Sequence, residues 1–378
     1  MDPEAAATMS RKLDHIRVVL DSPVEHPGST LLEEVELVHQ ALPEQDLSSV
    51  DTSTVFLGHR LEAPLMITGM TGGHSVAEKI NCALARAAAE TGIAMGVGSQ
   101  RAAIENPSLA STFASARRCG GKELPLVANI GAPQLVKGYG VEQVLKAVEM
   151  IDADAVAVHL NAAQEAFQPE GDTDYRGVVR ALERLVDELP VPVIVKETGH
   201  GIGYEAALAL YSIGVRYLDV SGAGGTSWVR VEMYRAAARG RRRLAEAART
   251  YSGWGIPTAQ AVVEARWAAP TACIIASGGV RSGLDAAKAI ALGADIAGAA
   301  LPFMKAYAEA GEKGVIDLIE SFKYEVRAAV YLTGAGSIEG LRRARLVIGE
   351  RLRRRLEQRG VDVSLYLHGL RGLSRGRC

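Results

Sequence analysis

Ala155-Val156-Ala157-Val158-His159-Leu160-Asn161 alternates bulky and small side chains. In an extended segment, successive side chains point to opposite faces. Val156, Val158 and Leu160 therefore share one face, and Ala155, Ala157, His159 and Asn161 share the other. Bulky apolar groups facing covering helices, with small-to-polar groups facing an enclosed axis, describe a barrel strand. The sequence places His159 and Asn161 at its C-terminal end, the rim where barrel enzymes build their sites.

Seven further runs of the same kind accompany it: Pro64–Met70, Ala94–Ser99, Leu126–Ile130, Val193–Thr198, Tyr217–Gly222, Ile274–Gly279 and Ile296–Ala300. Each is short, apolar and closed by Gly or a small polar residue, as suits strands buried on both faces. Ala-rich stretches with helical spacing lie between them, such as Val76–Thr91, Gly140–Ile151 and Gly177–Leu189. Eight strand–helix alternations predict an α/β chain folded as a single (β/α)8 TIM barrel over residues 64–300. A doubly wound open sheet fits less well, because eight equal units offer no point at which strand order reverses. Residues 1–63 form an N-terminal extension expected to contribute to the active site. Residues 223–272 read as an insertion after the sixth strand, and 301–378 as C-terminal helices ending in an Arg-rich tail.

Composition narrows the function. The 378 residues carry 42 Lys and Arg against 44 Asp and Glu, a net charge of −2. That balance excludes a dedicated nucleic-acid binder. No apolar run reaches membrane-spanning length, and the N-terminus does not read as a signal peptide. Cys82, Cys119, Cys273 and Cys378 are widely scattered with no CxxC, which predicts a reduced cytoplasmic protein without a disulfide frame or zinc site. Eleven Arg stand between 342 and 378, interleaved with Leu, Val and Ile. That spacing predicts a solvated helix face and tail, or a subunit contact, in preference to an RNA-binding arm.

Glycine is the conspicuous excess, 40 of 378 residues against aromatics at 5%. Many fall at strand exits. The last two exits read Ser277-Gly278-Gly279-Val280-Arg281-Ser282-Gly283 and Gly298-Ala299-Ala300. In barrels the loops after strands seven and eight often hold a phosphate. Glycines let backbone N–H groups close on it, Arg281 adds a charge, and a helix beginning near Leu284 is expected to point its positive end there. Gly69, Gly72, Gly73, Gly96, Gly98, Gly131, Gly222, Gly224 and Gly225 continue the ring. A flat ligand lying against backbone fits, and flavin mononucleotide satisfies both the plane and the phosphate. Thr68, Ser99, Asn129, Lys196, Ser221 and Thr226 stand at the remaining rim positions for the ring and ribityl chain. A rim Lys facing N1 of the ring would stabilise an anionic reduced flavin; its alternative is an ion pair with Glu197 or Asp219. The exit of the Ala155 strand gathers His159, Asn161, Gln164 and Glu165, where a carboxylate suits Mg²⁺ and a diphosphate.

These motifs together resemble the type 2, flavin-dependent isopentenyl-diphosphate delta-isomerases. The resemblance rests on Arg11-Lys12-x-x-His15, Thr68-Gly69-Met70-Thr71-Gly72-Gly73, Gly98-Ser99-Gln100-Arg101, His159-x-Asn161-x-x-Gln164-Glu165, Pro169-Glu170-Gly171-Asp172, Val195-Lys196-Glu197, Ser221-Gly222-Ala223-Gly224-Gly225-Thr226 and Ser277-Gly278-Gly279-x-Arg281. It runs from about Arg11 to about Leu352. It implies interconversion of isopentenyl and dimethylallyl diphosphate with no net redox change. It also implies FMN reduced at the expense of NADPH and acting as acid and base, Mg²⁺ on the diphosphate, and a homotetramer or homo-octamer.

Carried over residue by residue, the resemblance gives Gln164 a place by the alkene as proton relay, and Glu165 the metal. Arg11, Lys12, Ser99, Gln100, Arg101, His159 and Asn161 would contact the diphosphate or its metal. FMN would meet Thr68, Gly69, Met70, Ser99, Asn129, Lys196, Ser221, Thr226, Gly278, Gly279, Val280, Arg281, Ala299 and Ala300. Glu232, within the insertion, reads either as a further acid or proton store or as a surface helix residue. The rival is a flavin oxidoreductase of the hydroxy-acid oxidase type. It needs a His base and an Arg clamp near the sixth or seventh exit, and the sixth exit, SGAGGTSW, has no His.

Overall fold

The computed structural model describes residues 14–369, Arg371 and Cys378. Eight parallel strands close a barrel. They are β1 (Leu65–Ile67), β2 (Ala94–Gly96), β3 (Leu126–Gly131), β4 (Ala155–His159), β5 (Val193–Lys196), β6 (Tyr217–Asp219), β7 (Cys273–Ala276) and β8 (Ile296–Ala299). Register aligns Gly131 with His159, His159 with Lys196, and Lys196 with Asp219, so these four form one row around the C-terminal mouth.

The alternation in β4 resolves as its side chains require. Ala155 and Ala157 join Met66, Ala94, Val127, Ile194, Ile275 and Ile296 in one buried cluster inside the barrel. Val156 and Val158 belong to the larger cluster between strands and helices. Small residues facing inward keep the eight strands close enough to fill the lumen without a channel.

The covering helices follow from their patterns. α1 (Ser75–Thr91) is Ala-rich and stops at Gly92, whose φ of 69° makes the left-handed cap that favours glycine. It packs on α2 (Ser111–Gly120). α3 (Val141–Met150) and α4 (Val178–Glu188) follow β3 and β4. α4 buries Val178, Leu182 and Leu185, one stripe of a 3.6-residue period. α5 (Tyr204–Ser212) follows β5. Three helices separate β6 from β7: α6 (Trp228–Ala238), α7 (Arg242–Thr250) and α8 (Thr258–Ala268). α9 (Gly283–Leu292) follows β7, and α10 (Leu301–Leu332), broken at Ala310 and Gly311, follows β8.

The chain before the barrel crosses its mouth. Residues 14–21 are helical. The following strap is bonded to the loop after β6: His26 N–H donates to Gly225 O at 2.7 Å and Ser227 N–H to Val24 O at 2.9 Å. The Arg-rich end lies against the barrel's outer helices. Arg355 donates to Gln260 at 2.6 Å, and Arg359 reaches Glu264 at 3.3 Å and also Glu205. Arg353 and Arg354 make only exposed i,i+4 pairs with Glu357 and Glu350. The solvated face is real but covers only part of the Arg residues.

The cysteine expectation is overturned. Cys82 on α1 is bonded to Cys119 on α2, and Cys273 at the start of β7 to Cys378 at the chain end. The partners lie 37 and 105 residues apart, so their spacing carried no sign of pairing. Helix packing and the return of the C-terminus bring their Cα atoms to 5.2 and 5.5 Å.

Candidate active site

A cavity opens at the C-terminal mouth between the strap helix, the strand exits and the start of α10. Thr68, Gly69, Met70, Ser99, Arg101, Asn129, His159, Asn161, Gln164, Glu165, Lys196, Ser221, Thr226, Gly278, Gly279, Arg281, Ala299 and Ala300 all line it. Arg11 and Lys12 lie outside the described residues. His15, Ile16 and Val19, on the helix that follows them, face the cavity.

One wall is made from the exits of β6, β7 and β8. Gly278 and Gly279 take φ of 93° and 81°, conformations open to glycine at little cost. A Cβ on Gly279 would stand 2.8 Å from the Gly224 carbonyl. Ser221 also adopts positive φ, 37°, and a non-glycine residue held there marks a constrained rim. Neither Gly279 nor Val280 has an acceptor for its backbone N–H among the described residues. Val280's side chain is buried in the core, so only its backbone is available.

The helix expected to serve a phosphate is otherwise engaged. At the start of α9 the N–H groups of Gly283 and Leu284 donate to Glu325 at 2.6 and 3.3 Å, and that of Asp285 donates to Ser282 Oγ. A carboxylate from α10 has taken the place of an outside anion. The anion-binding elements that remain are the Gly279–Val280 backbone, Arg281, and the beginning of α10 at Ala300–Leu301.

Lys196 is buried in the mouth row and donates to the Glu197 carbonyl at 2.6 Å. It makes no ion pair with Glu197 or Asp219 among the described residues. Asp219 is fully buried and accepts from Ser277 Oγ at 2.6 Å. Burial pushes its carboxyl up, against the opposing pull of Lys196 and Ser277. Asn129 is fixed by Val97 O at 3.1 Å and by His159 Nδ1 at 2.8 Å.

The opposite wall carries Asn161, Gln164, Glu165 and, behind them, Glu232. Asn161, Gln164 and Glu165 sit on the short helix Ala162–Phe167 and its first cap. Glu165 accepts from Asn161 Nδ2 at 2.7 Å, Gln168 Nε2 at 3.1 Å and Asp172 N–H at 2.7 Å. Among the described residues, three donors hold this carboxylate in place. Gln164 Nε2 donates to Glu232 Oε1 at 3.1 Å, and His15 Nε2 meets the same oxygen at 2.9 Å. Glu232 also pairs with Arg235, which in turn reaches Glu170 at 2.6 Å. Burial pushes the Glu232 carboxyl up, but His15, Arg235 and Gln164 outweigh it, and the group lies below its usual range. Glu232 is thus not a surface residue: it is a buried carboxylate behind Gln164.

Gln100 departs from expectation. Its side chain is fully buried, donating to Ala147 O at 2.7 Å and accepting from Asn129 N–H at 2.9 Å. It braces β3 and does not face the cavity. Arg101 does face it, bonded to Glu105 at 2.6 Å and Asp172 at 3.4 Å. His15, Gln168 and Trp228 are among the cavity residues that had no assigned role in the sequence. Trp228 sets its ring edge-on to His15 at 5.1 Å between centroids. Gln168 was legible as i+4 from Gln164, and His15 as the last residue of the Arg11-Lys12-x-x-His15 motif. Trp228 gave no signal, since only the fold brings α6 over the mouth.

Comparison with known proteins places this geometry. The chain is 52% identical to the isopentenyl-diphosphate delta-isomerase of Aeropyrum pernix over 96% of each chain. The chain belongs to the isopentenyl-diphosphate delta-isomerase family. The same enzyme of Ignicoccus hospitalis is 51% identical, over 96% of this chain and 99% of its own. The family model described as FMN-dependent dehydrogenase matches residues 28–111 and 128–348, in keeping with the flavin-dependent, type 2 form of the isomerase. Among solved structures, a lactate oxidase of Pediococcus acidilactici aligns with a TM-score of 0.63 at 19% identity, covering 91% of this chain and 93% of its own. A mandelate oxidase mutant with the monooxide FMN adduct gives 0.61 at 20%, covering 92% and 100%. At that identity these two share the barrel fold and carry no statement about substrate.

Proposed function

We propose that the cavity shifts the double bond of isopentenyl diphosphate by one carbon, with reduced FMN against the glycine wall and Mg²⁺ clamping the diphosphate at Glu165. The observation that carries the proposal is the adjacency of Gln164 and Glu165. One is tied to a buried carboxylate, and the other is a carboxylate oriented by Asn161, Gln168 and Asp172.

The cavity fits both groups. Paired left-handed glycines, the Gly279 and Val280 N–H groups, Arg281 beside them and a buried Lys196 with no carboxylate ion pair among the described residues suit a phosphorylated, electron-rich flavin. Among the described residues no cluster of three metal ligands faces the cavity. Mg²⁺ bound through one carboxylate takes its remaining oxygens from substrate and water, so metal and diphosphate arrive as a unit. When bound, reduced FMN supplies an acid–base group and a preorganised electron-rich face for positive charge developing on the alkene carbon.

The chain's own residues do the rest. Glu165, Arg101, His159 and Asn161 hold the diphosphate and its metal, and the family likeness adds Arg11 and Lys12 to them. Charge neutralisation there anchors a small substrate by its charged end. Glu232 keeps the Gln164 amide in one orientation, its Nε2 turned to the carboxylate. The amide oxygen, which accepts from Asn161 Nδ2 at 3.4 Å, is the end turned from Glu232, and it would face the alkene end and relay a proton. His15, Trp228, Val19 and Met304 enclose that end and exclude water. NADPH is the proposed reductant that primes the flavin. A homotetramer or homo-octamer in the cytoplasm is proposed from the family likeness alone.

The alternative reading, oxidation of a 2-hydroxy acid, rests on the shared fold. The test is anaerobic addition of lactate or mandelate to FMN-loaded, oxidised protein. The isomerase reading predicts an unchanged flavin spectrum. Stoichiometric bleaching at either substrate would favour the oxidase.

A further inference from the structure

The barrel has a second end, away from the cavity, and the last residue of the chain closes it. Cys273 opens β7 at the N-terminal floor. Cys378 packs against the apolar cluster that fills the lumen, beside Leu57 and Tyr217. Its carbonyl oxygen accepts from Leu57 N–H at 2.5 Å and from Tyr217 Oη at 3.0 Å. Leu57 is the left-handed turn residue of the small hairpin formed by Thr54–Phe56 and His59–Leu61. One terminal residue thus joins three separate parts of the floor: the hairpin, β6 and, through its sulfur, β7.

The approach to that point is anchored as well. Tyr366 is fully buried and donates to Leu292 O at 2.6 Å. Arg371 donates to Ala291 O at 2.8 Å and Arg342 O at 3.0 Å. Chain termini usually fray unless tied down. Here Arg371 and Cys378 are both fixed to the barrel.

Cys273, Cys378 and Asp295 lie close enough to share a cation. The charges argue against one. Asp295 Oδ2 is already bonded to the fully buried Arg266 guanidinium at 2.6 Å and to Ile274 N–H at 2.9 Å. A metal ion would have to sit beside that buried positive charge. The two sulfurs are left to bond each other.

We propose that Cys378 is a redox clasp for the barrel floor. Two thiols and one small-molecule disulfide yield the Cys273–Cys378 bond and two small thiols. The two protein sulfurs are oxidised, the small disulfide is reduced, and the two protons leave with its thiols. The bond closes a loop of 105 residues and so removes much of the unfolded chain's freedom. The clasp makes thermal stability depend on redox state while leaving the catalytic mouth alone.

The test counts thiols and melts variants. Unfolded without reductant, protein exposed to oxidised glutathione is expected to take up no maleimide by intact mass, and Cys378→Ser to take up one. Cys378→Ser is expected to melt about 5 °C lower than the oxidised protein. Cys273→Ser should match it, with flavin uptake unchanged in both. In a Cys82→Ser, Cys119→Ser background, dithiothreitol should lower the melting temperature by a similar amount, and by less than 1 °C once Cys378 is also replaced. Labelling of Cys273 and Cys378 in the oxidised protein, stoichiometric zinc, or melting of Cys378→Ser within 1 °C of the oxidised protein would overturn the proposal.

Discussion

Gln164 donates its amide N–H to Glu232 across 3.1 Å, from the exit of β4 to a helix of the insertion after β6. The contact joins the only two residues assigned to proton handling from the sequence. It also fixes the amide's orientation, with Oε1 turned to Asn161 Nδ2 at 3.4 Å. Glu232, held below its usual carboxylate range, is an acceptor, so the amide must present its N–H there.

Replacing Gln164 with Ala should lower kcat about 100-fold while leaving FMN affinity within twofold, the scale of a lost proton-transfer group. Equilibrium flavin titration and initial rates on the same preparation check it. A normal rate would remove Gln164 from the mechanism.

Glu232→Gln should destabilise the fold by about 2–4 kcal/mol, because Arg235 keeps only Glu170 and a buried guanidinium is left half paired. The pH dependence has a definite sign. Glu232's folded pKa lies below the ordinary glutamate value of 4.5, so its contribution is fully present above that value and is lost as pH falls through the folded pKa. Urea melts at pH 7 and pH 4 should differ less in Glu232→Gln than in the parent. An equal difference in both proteins would show that another group carries the acid sensitivity.

Glu165→Gln removes the charge but keeps the shape that Asn161, Gln168 and Asp172 hold. The Mg²⁺ concentration giving half-maximal rate should rise at least about tenfold, the cost of losing a metal ligand. Rates measured across a Mg²⁺ series decide it. An unchanged midpoint would place the metal elsewhere.

Gly279→Ala puts a methyl group where φ is 81° and the Gly224 carbonyl is 2.8 Å away. The wall must shift, and FMN affinity should fall about 100-fold with the barrel intact by circular dichroism. Retained affinity would mean that the flavin does not lie on this wall.

All eight strands were legible because parallel barrel strands are buried on both faces and leave short apolar runs. Their ends were read too long where glycine-rich rim loops continue the pattern: the run read as Tyr217–Gly222 stops as a strand at Asp219. Rim polarity was legible too, but not its direction. Gln100 looks like a ligand beside Ser99 and Arg101, yet its amide satisfies backbone groups inside the wall. The N-terminus of α9 looks free in sequence, and only tertiary packing brings Glu325 onto it. His15 and Trp228 meet over the mouth from segments more than 200 residues apart, a contact no local pattern encodes.

The most direct measurement is an anaerobic time course of isopentenyl diphosphate with Mg²⁺ and photoreduced, FMN-loaded protein, followed by proton NMR and flavin absorbance together. Dimethylallyl diphosphate should accumulate over many turnovers per flavin, to an equilibrium mixture, with the flavin still reduced at the end. No allylic product, or one flavin oxidised for each product formed, would contradict the account.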